Sequence, residues 1–222
     1  MNWNDIKNYN DPTWNDESKK ILHSLYTSIP PRRLDYGLLK LARRKSVPEA
    51  QKIDKKFNYI VTNKNDIPIS LVINRYKTDK HYYTQIVDLT QKDSTFFKFS
   101  NIVKLGKKFI LHGADDGSHI IHNDPLFPNR NGELYSNFGE RLVQLFSKTK
   151  KRISCDILRH SFITDWLSTH DISKTSTDTL DKLATAMSHS TSMFLTYRKI
   201  DAEQALVHFN GIEEEFKQEE EG

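Results

Sequence analysis

Cysteine is almost absent from this chain. Cys155 is the single thiol in 222 residues, which excludes a disulfide within the chain and suits a reducing, intracellular setting. No apolar run approaches the ~20 residues that a membrane-spanning helix needs, and the polar opening Met1-Asn2-Trp3-Asn4-Asp5 does not read as a signal peptide. No membrane partner is expected. Internal repeats are missing, as is low-complexity sequence apart from an acidic end. A metal motif is missing too. His112, His119 and His122 stand near Asp115, Asp116 and Asp124, but His119-x-x-His122 is not a helical zinc signature. Asp115-Asp116-Gly117 lacks the register of a calcium loop. No metal and no cofactor are expected.

What is present describes an ordinary globular chain with an uneven charge. Hydrophobic residues make up 36% and charged residues 28%, so the chain can build a core and is not disordered by composition. Its length suits one domain. The last ten residues hold six Glu and one Lys, a charge of −5, which leaves +9 on residues 1–212 of a chain whose net charge is +4. A basic body of this kind suits a polyanionic partner. The expected division is a domain over residues 1–212 and an acidic tail over 213–222.

Hydrophobic spacing predicts an amphipathic helix over residues 17–28, with Ile21, Leu22, Leu25 and Tyr26 on one face and Asn15 or Asp16 as cap. Pro30-Pro31 ends it, and a second helix is expected from about Leu34 to Arg44. The period then changes to two. Phe57–Thr62, Ile69–Tyr76 and Tyr82–Leu89 read as strands, joined by turns at Asn63–Asp66 and Lys77–Lys80. A three-stranded antiparallel meander follows. Helices are expected over Phe96–Leu105, Tyr135–Lys148, Asp156–Ser168 and Leu180–Met187, with a polar loop from Gly113 to Gly132. A last helix should carry Tyr197. Helices around one small sheet make the chain α+β.

Five residues along this framework form a chemically coherent series. Arg32 stands in Pro30-Pro31-Arg32-Arg33-Leu34-Asp35, Lys77 in Lys77-Thr78-Asp79-Lys80, and Arg159 in Leu158-Arg159-His160-Ser161-Phe162. His189 follows Met187-Ser188, and Tyr197 comes after it. A Tyr hydroxyl titrates near 10, so it attacks a phosphodiester only where nearby cations favour the phenolate. Arg pairs two phosphate oxygens with one planar fork. Lys can protonate a leaving oxygen when its pKa is lowered, and His can donate a further hydrogen bond to the phosphate. Arg159 lies within an apolar run, where a charge is costly unless it is paired or faces a ligand.

The order Arg, Lys, Arg, His, Tyr resembles the catalytic series of the tyrosine recombinases, the phage-integrase family. The resemblance covers residues 18–200. It implies a mainly helical, integrase-like catalytic domain with a small three-stranded antiparallel sheet. It implies Arg32, Lys77, Arg159, His189 and Tyr197 as catalytic residues, double-stranded DNA as partner, and a homo-oligomer assembled on it. Cleavage would pass through a 3′-phosphotyrosyl link that frees a 5′-hydroxyl. Arg33 and Lys80 are alternatives to Arg32 and Lys77, and His160 is expected to brace its helix. The run Lys148–Arg152 is expected to touch the DNA backbone or solvate a helix end. The separate helical domain that usually precedes the catalytic one is not evident. A type IB topoisomerase shares this chemistry, and a catalytically inactive DNA-binding module is the rival of another class.

Two departures from the family pattern stand out. Asp156 occupies the place of the usual His three residues before Arg159, where an ionised acid cannot assist a phosphate. Ser188 stands where the family commonly has Gly, so Ser188 must make the tight turn itself.

Overall fold

The computed structural model describes residues 2–14, 17–43, 54–76, 84–94, 97–113, 125–135 and 137–196. Strands β1 (Leu39–Arg43), β2 (Asn58–Thr62), β3 (Pro68–Ile73) and β4 (Gln85–Asp88) form one sheet in that order. β2 pairs antiparallel with β3, and β3 with β4, as the alternating pattern predicts. β1, however, pairs parallel with β2, Leu39 opposite Asn58 and Arg43 opposite Thr62. The sheet is therefore four-stranded and mixed, which corrects the expected three-stranded antiparallel meander. The correction falls on the helix expected over Leu34 to Arg44. That segment is a short 3-10 turn, Asp35–Leu38, running directly into β1. Its leucines fit a helical face as well as a strand, and long-range pairing decides between them. β1 is held on its other side as well, since Leu126 N–H donates to Leu39 C=O at 2.7 Å.

The turn from β2 to β3 is built as its sequence suggests. Asn63 Oδ1 accepts from the N–H groups of Asn65 and Ile67, and Asp66 takes φ 58°.

The helices are α1 (Trp3–Lys7), α2 (Glu17–Thr27), α3 (Phe99–Gly113), α4 (Phe138–Leu145), α5 (Cys155–Thr169) and α6 (Thr177–Ala186). A further turn of helix, α7, occupies residues 191–196. α2 buries Ile21, Leu22, Leu25 and Tyr26 on the face its spacing predicts; its expected cap, Asn15 or Asp16, lies outside the described residues. α1 was not foreseen. Asn2 caps it by accepting Asp5 N–H while Asp5 accepts Asn2 N–H, and Trp3 packs edge-on against Phe162 of α5, 5.4 Å between ring centres. The 3-10 turn before β1 lies so close to α4 that a Cβ on Gly37 would stand 2.8 Å from the Phe138 ring; only glycine fits there.

One core joins these layers. Leu25, Tyr36, Leu39, Leu71, Ile73, Ile102, Leu142, Leu158, Ile163, Met187 and Phe194 all belong to it. No helix among the described residues is long and apolar enough to cross a membrane.

Candidate active site

The Arg32 guanidinium is 1% exposed and makes four hydrogen bonds to four parts of the fold. Nε donates to Asp35 Oδ2 at 2.9 Å, three residues on. Nη1 donates to Ala186 C=O at 2.8 Å, so the cation closes the C-terminal end of α6, where carbonyls lack partners and positive charge is favoured. Nη2 donates to Gln85 Oε1 at 2.9 Å and to Ser188 Oγ. Ser188 in turn donates to Asp35 Oδ2 at 3.2 Å. The charge is thus neutralised by Asp35 and four of its five donors are occupied, which is what a buried Arg needs.

Ser188 does form the tight turn that follows α6. Its φ is 57°, a left-handed conformation that costs a non-glycine residue roughly 1–2 kcal/mol. Its hydroxyl, shared between Arg32 and Asp35, offsets that strain with bonds that glycine could not make. Directly after it, His189 N–H donates to Ala184 C=O at 2.8 Å, which fixes the ring at the end of α6.

The His189 imidazole is half-buried, and its pKa is lowered to about 3, first by burial and then by the charges of Arg159 and Arg33. It is therefore neutral at pH 7, donating through one ring nitrogen and accepting through the other. Arg159 is fully buried in the first half of α5. Its Nη1 lies 3.5 Å from Asp156 Oδ1. Asp156 is an exposed residue in the first turn of α5, next to the Ser154 cap, where negative charge is favoured by the helix dipole. This accounts for an acid at that position: it faces the helix end and Arg159. The Cys155 thiol is pushed up by burial and by Asp156, so it stays protonated. Arg33 is half-buried, and its carbonyl accepts from the buried Tyr26 hydroxyl at 2.6 Å.

Arg32, Arg159 and His189 are thus gathered from the segment before β1, from α5 and from the turn after α6. Lys77, Lys80 and Tyr197 lie outside the described residues; described residues near them in sequence lie at this cluster or beside α5. Tyr76 places its ring 5.9 Å from the Arg32 guanidinium carbon, and Gln85 binds the same guanidinium from the returning strand. Asn58, fully buried in β2, ties the base of that hairpin down. It donates to Asp35 C=O and Arg75 C=O, each at 2.8 Å, and accepts from Asn74 N–H and Arg75 N–H. On the other side Tyr197 follows directly on α7, whose Phe194 is fully buried and packs edge-on against Trp166 of α5, 5.5 Å between ring centres.

Gln85 and Asn58 had no signal in the sequence beyond lying in strands. Of the basic run 148–152, Lys148 is bound to Asp11 at 3.1 Å and Arg152 to Glu140 at 2.6 Å, so both sit on protein carboxylates. Among the described residues no group of His, Cys, Asp and Glu is arranged to hold a metal ion.

No family model matches this chain, and no curated protein matches it. Among solved structures, that of XerA recombinase is similar at a TM-score of 0.44 and 17% identity, over 82% of this chain. The match spans about half, 52%, of the XerA chain.

Proposed function

We propose that the protein is a DNA strand transferase of the tyrosine recombinase type, with a catalytic domain over residues 1–212. Tyr197, having lost its proton to solvent as the phenolate that nearby cations favour, attacks a DNA phosphorus; its Oη–P bond forms as the P–O5′ bond breaks, leaving a 3′-phosphotyrosyl link and a 5′-hydroxyl. Lys77, or Lys80 in the same turn, gives the departing 5′-oxygen its proton. Arg159 and the tandem Arg32-Arg33 offset the charge that builds on the nonbridging oxygens. His189, neutral, donates a hydrogen bond to one of them. Attack by another strand's 5′-hydroxyl reverses the step and rejoins the DNA, and two or more copies on DNA would exchange strands.

The observation that carries this reading is the convergence of Arg32, Arg33, Arg159 and a neutral His189 on the turn that leads to Tyr197. Cations gathered from distant parts of a chain at one place repel one another, so such a cluster favours an anionic ligand. A non-catalytic DNA-binding module is the second reading, favoured by Asp156 beside Arg159 and by the four protein bonds that hold Arg32.

Replacing the bridging 5′-oxygen with sulfur separates the roles, because a thiolate leaves without an acid. That substrate should restore cleavage by Lys77→Ala and leave Arg159→Ala slow, with Lys80→Ala tested in parallel. Rescue of Arg159→Ala alone would reverse the assignment. No cleavage by the unsubstituted protein on either substrate would favour the non-catalytic module.

A further inference from the structure

Away from the arginine cluster, Lys7, Lys20, Lys98, Lys104 and Lys108 line a cleft of about 790 Å³ between the N-terminal segment, α2 and α3. We propose that this cleft is a second DNA contact that holds the phosphodiester backbone of a duplex segment other than the one being cleaved. The proposal rests on the strand-transfer reading.

Charge is the first argument. Among the described residues no carboxylate lines the cleft. Lys20 pairs with Glu17 at 3.1 Å, while Lys7, Lys98, Lys104 and Lys108 are exposed. The bordering acids are already engaged: Asp11 binds Lys148 and Thr13, and Asp93 is held below the usual carboxylate range by Ser100 and then by Lys98. Glu17 stands beside Lys20 and Asp93 beside Lys98, so the repulsion that a polyanion would relieve falls mainly on Lys7, Lys104 and Lys108.

Chemistry selects backbone over bases. Asn8, Asn10 and Asn101 add amide donors to the lining, and Lys and Asn are common phosphate-contacting side chains. The aromatic residues are not a stacking platform. Trp14 is 6% exposed. Tyr9, Trp14, His23 and Phe146 pack on one another with ring centres 5.4–6.5 Å apart, which uses up their surfaces inside the protein. Tyr9, Trp14 and His23 line the cleft with Phe146 behind them, and the exposed lysines surround them.

Position makes the contact a separate one. Lys20, His23, Ser24, Thr27 and Ser28 face the cleft, whereas Tyr26 reaches the other way to the carbonyl of Arg33. At 100° per residue the two directions differ by roughly 130° around α2. With the cleft on one side of α2 and the Arg33 segment on another, we assign the cleft to a segment other than the one being cleaved, which strand exchange between two duplexes requires.

The test uses the full chain with Lys7, Lys104 and Lys108 replaced together by Ala, beside the unsubstituted protein. Duplex binding is measured across salt concentrations, and bridging of two labelled duplexes is measured at one. Each lost phosphate contact lowers the slope of log affinity against log salt by about 0.9, so three should lower it by ~2.7. Bridging should fall while tyrosyl-adduct formation on a short substrate persists. An unchanged slope with unchanged bridging would overturn the proposal. So would an unchanged slope together with binding of a peptide of residues 213–222 that the triple substitution abolishes, which would make the cleft a site for an acidic segment. A lowered slope in a protein that forms no tyrosyl adduct would sink the strand-transfer reading and leave the cleft a DNA contact.

Discussion

Arg32 and Arg33 are neighbours in sequence with different surroundings. Arg32 spends four N–H groups on Asp35, Ala186, Gln85 and Ser188, and one of its five donors remains. Arg33 is half-buried and acts on His189 through its charge. Arg32→Ala should strand a buried Asp35 and open the end of α6, costing about 3–5 kcal/mol, a large share of a typical domain's stability. Arg33→Ala should leave the urea midpoint nearly unchanged and slow cleavage by about 10²–10³-fold, the range seen when one donor to a developing oxyanion is removed. Cleavage by Arg33→Ala at the unsubstituted rate would remove that residue from the site. The spacing Arg32-x-x-Asp35 was legible in the sequence because an i, i+3 pair is local. Its other partners, Gln85 and Ala186, were not, because nothing local marks an amide or a carbonyl as the distant partner of one Arg.

Among the elements, β2, β3, β4 and the face of α2 could be read directly: α2 and β4 record burial on one side, while β2 is buried throughout and is marked by its β-branched and aromatic residues. β1 could not. Leu38, Leu39 and Leu41 suit a helix or a strand, and only pairing with β2 settles the matter. α1 was equally hidden, being five residues long and dependent on its cap and on Phe162. The element that organises the site is the hairpin base around Asn58. Asn58→Ala would leave Asp35 C=O, Arg75 C=O and two N–H groups without their buried partner. At about 1 kcal/mol per bond the loss should reach roughly 2–4 kcal/mol in urea denaturation. Asn58→Asp, which keeps the acceptor and loses the donor, should fall between the two. Full stability of Asn58→Ala would mean that the hairpin base is held by strand pairing alone.

For the whole molecule, charge and chain order point the same way. The basic body carries +9 on residues 1–212, and four of its exposed lysines, Lys7, Lys98, Lys104 and Lys108, line one cleft. Tyr76 and Gln85, which flank residues 77–84, both lie against Arg32, and Phe194, three residues before Tyr197, packs on Trp166 of α5. On the proposed mechanism Tyr197 becomes covalently joined to DNA. A nicked suicide substrate, which loses its short 5′-fragment after cleavage and so prevents rejoining, tests it most directly. The unsubstituted protein should give a denaturant-resistant adduct, formed equally well in chelator, and Tyr197→Phe should give none. An adduct that persists in Tyr197→Phe, or one that forms only with magnesium, would contradict the account.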